Sequence, residues 1–577
     1  MRASRRKDFW VVVCCLIAAA IWIDFSSIHR FHNSDSLVMT LISIYQWTPL
    51  YWGQDRLGML FPLLASPWEH PLANLLAQGV MTTLVALSSF FLLGYYVAGR
   101  RRGITIGALG GIFLMVFTRA NQRFDYLIYI HQFATSAAFG IAGLILLDLW
   151  SHGRTKLWAV AGVSLIAIAH WLNPAIALAI GPLLLVRGLT FRGLGDYFDQ
   201  LDEGNAEGQR ESLGSHGNQS EYPSATLPSA TFRWCHWRVA SAQSLSHLEE
   251  HWQDASGTGQ VAVANQFDGL RLAWFSKDEL VGLVAIFLSL VGNVAFSHFA
   301  SDRQPYGFLP PGEWLACAVE VWKHLGGGLR PMWFHTVEIT AIVGLATLYW
   351  PAGRAMARIS LRMAGGLLFA AAVQYAFMTS LDHVHRTHYP RYAAVAVFFW
   401  QTALIGFTVV QCTAVLPSGA WLRRMPAMLT VAMAVLTAIV HGPVSPRIVR
   451  AEIDAVAGRY TDDLLAAGCT HMTGDYWHVW PAMFHANLRL TDEHSPKRVW
   501  AIAQRCGPTE KFWRQIPWTE MRIAEIVGDE QQSLEYRQRF RLPPVAAREQ
   551  VGSIRVLCPT GPADGVEQMA GHGTERK

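Results

Sequence analysis

Residues 75–97, LLAQGVMTTLVALSSFFLLGYYV, contain no Asp, Glu, Lys or Arg and end against the basic stretch AGRRRG at 98–103. A helix rises about 1.5 Å per residue, so this run covers a hydrocarbon core of about 30 Å. Further apolar stretches occupy 9–28, 104–117, 133–149, 157–169, 174–186, 280–296, 337–350, 363–378, 393–412 and 425–440. Together they predict a polytopic α-helical membrane protein with about eleven transmembrane helices. The composition agrees: 52% of residues are hydrophobic and only 15% are charged, where a soluble protein carries about a quarter. A disordered chain, a coiled coil, a collagen-like fibre and an ordinary soluble enzyme are excluded.

Basic residues orient the spans. With the N-terminal MRASRRK in the cytoplasm, Arg100 to Arg102, Arg154 with Lys156, Arg187 with Arg192, Arg354 with Arg358 and Arg362, and Arg423 with Arg424 all fall on one side. That agreement is what the positive-inside rule demands. The stretch 9–28 is long for a cleaved signal, and its small residues Ala18 to Ala20 lie inside it, so it reads as a first span. The opposite face receives the loops 26–74, 118–132, 298–331 and 380–391 and everything after His441. In a bacterial inner membrane that face is periplasmic.

Two polar regions interrupt the apolar pattern. The segment 190–277 falls on the cytoplasmic side with a Gly/Ser/Glu-rich centre, the composition of a flexible linker. Residues 446–577 read as a small outer-face α/β domain with a polar tail, set off from the membrane domain 1–445. Helical periodicity runs through 449–467, and short strand-like runs lie at 499–503 and 554–558. Its Cys469, Cys506 and Cys558 suit either one disulfide in an oxidising compartment or free thiols. A net charge of +5, with no basic stretch interleaved with aromatics, gives no footprint for nucleic acid.

Candidate chemistry gathers in the outer loops. In FHNSDSLVMTLISIY, 31–45, apolar residues recur at helical spacing, so Asp35 stands at the start of an amphipathic helix lying on the membrane. Its carboxylate either caps that helix, with Ser34 and Ser36 as alternatives, or serves as a general base for a substrate hydroxyl. Asp55 and Arg56 either pair with each other or offer a phosphate site, Arg being the better bidentate donor. Arg123, beside aromatics, is a snorkelling anchor or a ligand contact. In DHVHRTHYPRY, 382–392, the spacing of His383, His385 and His388 admits a divalent cation, though the run also suits an ordinary polar loop. Arg391 opens an apolar span, where an unpaired guanidinium is costly and a lipid or diphosphate phosphate supplies a partner. In the tail, Asp475, Tyr476 and Trp477 of TGDYWHVWP form either a sugar-stacking, acceptor-binding edge or a buried strand.

An acidic residue just after the first span, followed late in the chain by Pro390-Arg391-Tyr392 leading into another, resembles the C-type (GT-C) integral-membrane glycosyltransferases. The aminoarabinose- and mannosyltransferase-like branches are the nearest, with Gln54-Asp55-Arg56-Leu57-Gly58 as weaker support. The resemblance implies transfer of a sugar from a polyprenyl-phosphate donor to a glycan, lipid or protein acceptor, with inversion, on the outer face. Asp35 is then the base, and Arg391 with Tyr392 holds the leaving phosphate. Many members carry an acidic pair where this chain has Ser34-Asp35-Ser36, which puts the family's metal site in question. A transporter or flippase of lipid-linked sugars, or a membrane scaffold, is the alternative, but no internal repeat is evident and the spans hold few charges.

Overall fold

The computed structural model describes residues 2–52, 54, 57–128, 132–153, 155–187, 276–297, 307–328, 331–387, 390–416 and 420–560. A helical bundle carries a small α/β domain at its C-terminal end, the architecture expected. Among the described residues, six helices are long and apolar enough to cross a membrane: Pro71–Phe117, Phe133–Ser151, Lys277–Ala295, Pro351–Thr379, Ala394–Val415 and Arg424–His441. Shorter apolar helices include Phe9–Asp24, Lys156–Leu172, Pro174–Leu185 and Glu338–Tyr349. Every one of the expected apolar stretches is helical. The expected linker 190–277 lies outside the described residues apart from its last two.

The continuous helix Pro71–Phe117 is two helices folded back on one another. Gly99 has φ 71°, a left-handed conformation that breaks the helix just before the three arginines. Beyond it the chain reverses, and small residues let the backbones touch. A Cβ on Gly103 would lie 2.5 Å from the Tyr95 backbone, and one on Gly94 would lie 2.5 Å from the Gly103 carbonyl oxygen. Gly107 and Gly110 continue the seam against Phe91 and Phe90. Close backbone approach is how helices associate where lipid removes the hydrophobic drive between them.

The two ends of the bundle differ chemically. At one end the guanidinium of Arg187 bonds Asp148 and lies 2.9 Å from Asp278, over the ring of Tyr96. Arg102 donates to Thr413 at 3.0 Å near there. At the other end, Ser26 meets His441 at 3.0 Å and Trp22 donates to the Gly442 carbonyl at 2.8 Å. The same end joins His32 to Phe124 edge-to-face, Gly58 to the Trp171 carbonyl, and Leu309 to the Ser380 carbonyl. The regions 26–74, 118–132, 307–309 and 380–382 are therefore tied to one another or to spans ending at this side.

The C-terminal unit is a five-stranded sheet in the order β2-β1-β3-β5-β4. Strand β1 (His471–Thr473) is central among three parallel strands, flanked by β2 (Trp500–Ile502) and β3 (Ile523–Ile526). β4 (Val545–Val551) and β5 (Ile554–Pro559) add an antiparallel hairpin. The helical periodicity of 449–467 becomes Pro446–Ala457, a short 3-10 turn and Thr461–Ala466. Cys469, Cys506 and Cys558 are free thiols, buried in the domain. Burial pushes the Cys469 and Cys506 thiols up to about 12, so neither is a reactive thiolate at neutral pH.

The glycine seam gives a direct test. Gly103→Ala should cost about 1–3 kcal/mol through overpacking against backbone, read as a lower melting midpoint in detergent. Gly365→Ala is the control, because nothing lies within 4 Å of its added methyl, and it should not lower the midpoint.

Candidate active site at the carboxyl ends of the parallel strands

The Asp35 helix, Ser34–Ile44, is capped by Asn33, whose side chain accepts from the Ser36 backbone while Ser36 reaches back to the Asn33 N–H. Neither Asp35 nor Ser34 is needed for capping. Nor does the helix simply lie on a membrane surface. Most of its residues are buried, between the helix Pro71–Phe117 on one side and Tyr476–Asp492 of the C-terminal domain on the other. Ser34 donates to the Tyr476 carbonyl at 3.0 Å, and the ring of Tyr45 packs on Trp500.

This docking brings Asp35 to the carboxyl ends of β1 and β2. The Tyr476 hydroxyl, three residues beyond β1, donates to Asp35 Oδ1 at 2.7 Å. Arg505, three residues beyond β2, places Nη1 2.8 Å from the same oxygen and 2.7 Å from the Tyr476 hydroxyl. Its guanidinium lies between two aromatic rings, 4.9 Å from the centroid of Tyr51 and 4.8 Å from that of Tyr476. The Tyr51 hydroxyl closes the cluster, 3.1 Å from that of Tyr476 and 3.0 Å from the Asp35 carbonyl. The side chains of Arg505 and Asp35 are 10% and 14% exposed, enough shelter for the pair to interact strongly yet open at one edge. In open α/β sheets the carboxyl ends of the strands are where ligands bind.

The electrostatics fit the geometry. Burial works against the charge on Arg505, but Tyr51, Tyr476 and Asp35 outweigh it and raise its pKa above the ordinary value. Burial, then Tyr51 and Asp35, push Tyr476 well above the ordinary phenol range, and burial raises Tyr51. Both phenols are therefore neutral hydrogen-bonding groups. Arg505 also adopts φ 73°, a left-handed conformation uncommon for a non-glycine residue and found where a side chain must be aimed.

The remaining residues singled out in the sequence are placed as follows. The run from Asp475 to Trp480 is the start of a helix, not a strand. Asp475 caps it by accepting from the Trp477 N–H at 2.8 Å, and the Trp477 ring is 52% exposed. Arg123 is buried and donates to the carbonyls of Met115 at 2.6 Å and Thr118 at 3.0 Å. Tyr392 is buried too. Its hydroxyl meets His383 at 2.7 Å, and its carbonyl accepts from Gln374 at 3.2 Å. Arg391 lies in the turn Pro390–Ala393, its side chain outside the described residues along with Asp55, Arg56 and His388. Among the described residues, no three of His, Cys, Asp and Glu are grouped to hold a metal ion.

Of the residues named in advance, Asp35 and Tyr476 are brought together across 441 positions. Sequence reasoning missed Arg505 and Tyr51. Tyr51 lies in the outer loop 26–74 without a motif of its own, and Arg505 in a tail with no local motif. A second polar group lies just upstream of Asp35. His29 stacks on His32 with ring centroids 4.9 Å apart, both are buried, and His29 lies 3.6 Å from the Asp24 carboxylate.

No protein-family model matches the chain, and no curated protein matches it. Two solved structures align along nearly the whole length. They are the crystal structures of ArnT from Cupriavidus metallidurans in the apo state and bound to undecaprenyl phosphate. The first is 12% identical over 96% of this chain and 98% of that one, with a TM-score of 0.32. The second is 11% identical over 95% and 97%, again with a TM-score of 0.32. A score of that size does not establish a shared fold.

Buried imidazoles in the bundle and in the C-terminal domain make stability depend on pH. Burial holds His29 down to about 4, its bond to the Asp24 carbonyl pulling the other way. Burial likewise holds His471, on β1, to about 3. A depressed folded pKa means that the unfolded chain binds protons the native one refuses. The stabilisation is complete above the ordinary histidine value of about 6.5 and is lost as pH falls toward 4 and 3. Each group contributes at most about 1.4 kcal/mol per pH unit. The melting midpoint in detergent should drop between pH 7.5 and 5, and His471→Asn should flatten that fall. An unchanged acid limb in the variant would remove His471 from the account.

Proposed function

We propose that the protein is a glycosyltransferase of the C-type (GT-C) integral-membrane kind, moving a sugar from a polyprenyl-phosphate donor to an acceptor at the extracytoplasmic face. The observation that carries this reading is Asp35. A carboxylate just beyond the first span is held by Tyr476 and Arg505 at the joint between the bundle and the C-terminal domain. A donor whose lipid lies in the bilayer and an acceptor bound by the domain would meet there.

In this reading Asp35 takes the proton of the acceptor hydroxyl as its oxygen bonds to the anomeric carbon. The bond from that carbon to the phosphate oxygen breaks with its electron pair on the phosphate, and the configuration inverts. Positioned bases contribute roughly 10²–10⁴-fold, and fixed cations stabilise the charge on the leaving group. Asp55, Arg56, Arg123, Arg391 and Tyr392 are assigned to the donor side. Asp475, Tyr476 and Trp477 are assigned to the acceptor side, the exposed Trp477 ring offering a face on which a sugar can stack. The orientation follows from charge. The end bearing Asp35 takes the extracytoplasmic side, and the end bearing Arg102 and Arg187 takes the cytoplasmic side of a plasma membrane.

Two substitutions test the assignment in a membrane transfer assay with radiolabelled polyprenyl-phosphate sugars. Asp35→Asn should lower transfer about 100-fold or more while the chain still inserts and runs as a single species in detergent. Full activity in that variant removes Asp35 as the base. Trp477→Ala should raise KM for the acceptor severalfold with kcat nearly unchanged, and Trp477→Phe should restore most of the loss. A fall in kcat alone would place Trp477 outside the acceptor site.

A further inference from the structure

The arrangement around Asp35 contains a conflict that its assignment as a base leaves open. A base needs a carboxylate free to take a proton, yet Asp35 Oδ1 accepts from both Arg505 at 2.8 Å and Tyr476 at 2.7 Å. We propose that the Asp35–Arg505 pair is the resting form of a phosphate-operated latch. A lipid-linked phosphate draws the Arg505 guanidinium away from Asp35, and the carboxylate gives up that ion pair only when the phosphate is bound. The inference rests on the transferase reading for its purpose, but not for its binding step.

Several features fit Arg505 for a phosphate rather than for a purely structural pair. Nη1 bonds Asp35 and Tyr476, and buried Nε has no partner among the described residues. Nε and an Nη together form the two-pronged donor that matches phosphate geometry, and an unpaired buried donor is costly until something accepts from it. The rings of Tyr51 and Tyr476 hold the guanidinium through its faces. Its edge carries the N–H donors, and the group can turn in plane without losing that contact. The left-handed backbone at Arg505 aims the side chain from the end of β2 toward the membrane-side helix. A phosphate presents two oxygens to Nε and an Nη, where Asp35 presents one to Nη1, so the exchange gains a hydrogen bond once a phosphate reaches the site. No covalent bond is made or broken in this step. One ion pair is traded for another, and the Tyr476 hydroxyl is left to one of the two.

The latch makes a prediction that a tether does not. If Asp35 competes with phosphate for Arg505, removing the competitor tightens phosphate binding. The full chain in detergent would be titrated by calorimetry with geranyl phosphate and, in a second arm, with inorganic phosphate, without sugar donor or acceptor. Asp35→Asn should bind geranyl phosphate about tenfold more tightly than the wild type, and Arg505→Gln should bind it at least tenfold more weakly. Tyr476→Phe keeps both charges and loosens the pair, so it should tighten binding two- to fivefold, and it serves if Asp35→Asn does not fold. The same ranking with geranyl phosphate clearly tighter identifies a lipid headgroup as the ligand, whereas equal affinities identify free phosphate. Unchanged or weaker binding in both Asp35→Asn and Tyr476→Phe overturns the latch, as does wild-type affinity in Arg505→Gln. Because no sugar is present, a chain that fails every transfer assay can still pass this test, and an active transferase can still fail it.

Discussion

A carboxylate and a guanidinium withdrawn from water must find each other, and in this protein the two come from opposite ends of the chain. Asp35 belongs to the helix after the first span, Arg505 to the loop after β2. Losing either partner strands a largely buried charge, a cost of about 3–5 kcal/mol in comparable pairs. The C-terminal domain is thereby locked in register on the bundle. Neighbouring contacts follow from that register: Ser34 on the Tyr476 carbonyl, Tyr45 on Trp500, and Trp52 on Trp480. Arg450 and His70 sharing Asp492 add a second, more exposed tie.

The joint works because of how the sheet is built. Parallel strands end on one side, so β1 and β2 both release their chains toward the membrane-side helix, and each delivers one residue to Asp35. An antiparallel pair would have sent one of them to the far edge. The hairpin of β4 and β5 lies beyond β3, away from the joint. Within the domain, Glu525 on β3 is buried and answered by Ser533, Arg537 and Arg555. The carboxylate that the fold needs is thus kept separate from the one at the site.

The spans were readable because a bilayer imposes its demand residue by residue. A stretch such as 75–97 must satisfy its backbone internally and expose apolar side chains, and both requirements are written locally. Helix starts were readable for the same reason, and of the two roles open to Asp35 at the start of Ser34–Ile44 the cap goes to other residues. Asn33 and Ser36 form the box, which leaves Asp35 for other work. The reading of TGDYWHVWP as a possible buried strand failed because its aromatic density masks a cap. Asp475 followed by Tyr476 and Trp477 is a helix start, and Gly474 before it takes φ 148° to make the turn.

By itself the sequence determined the membrane class, the positions of the helices, the existence of a C-terminal α/β unit and the interest of Asp35. The first three follow from composition or periodicity within a window of about twenty residues, the last from its place just after the first span and from the family resemblance. Only the tertiary structure decided what Asp35 meets. Tyr51, Tyr476 and Arg505 are 16, 441 and 470 positions away from it, and no local pattern marks a residue whose partner lies across the fold. Arg505 stands outside any motif, and its importance comes from being buried beside a carboxylate and two rings. Burial and pairing are properties of packing, and packing is settled only when the domain closes on the bundle.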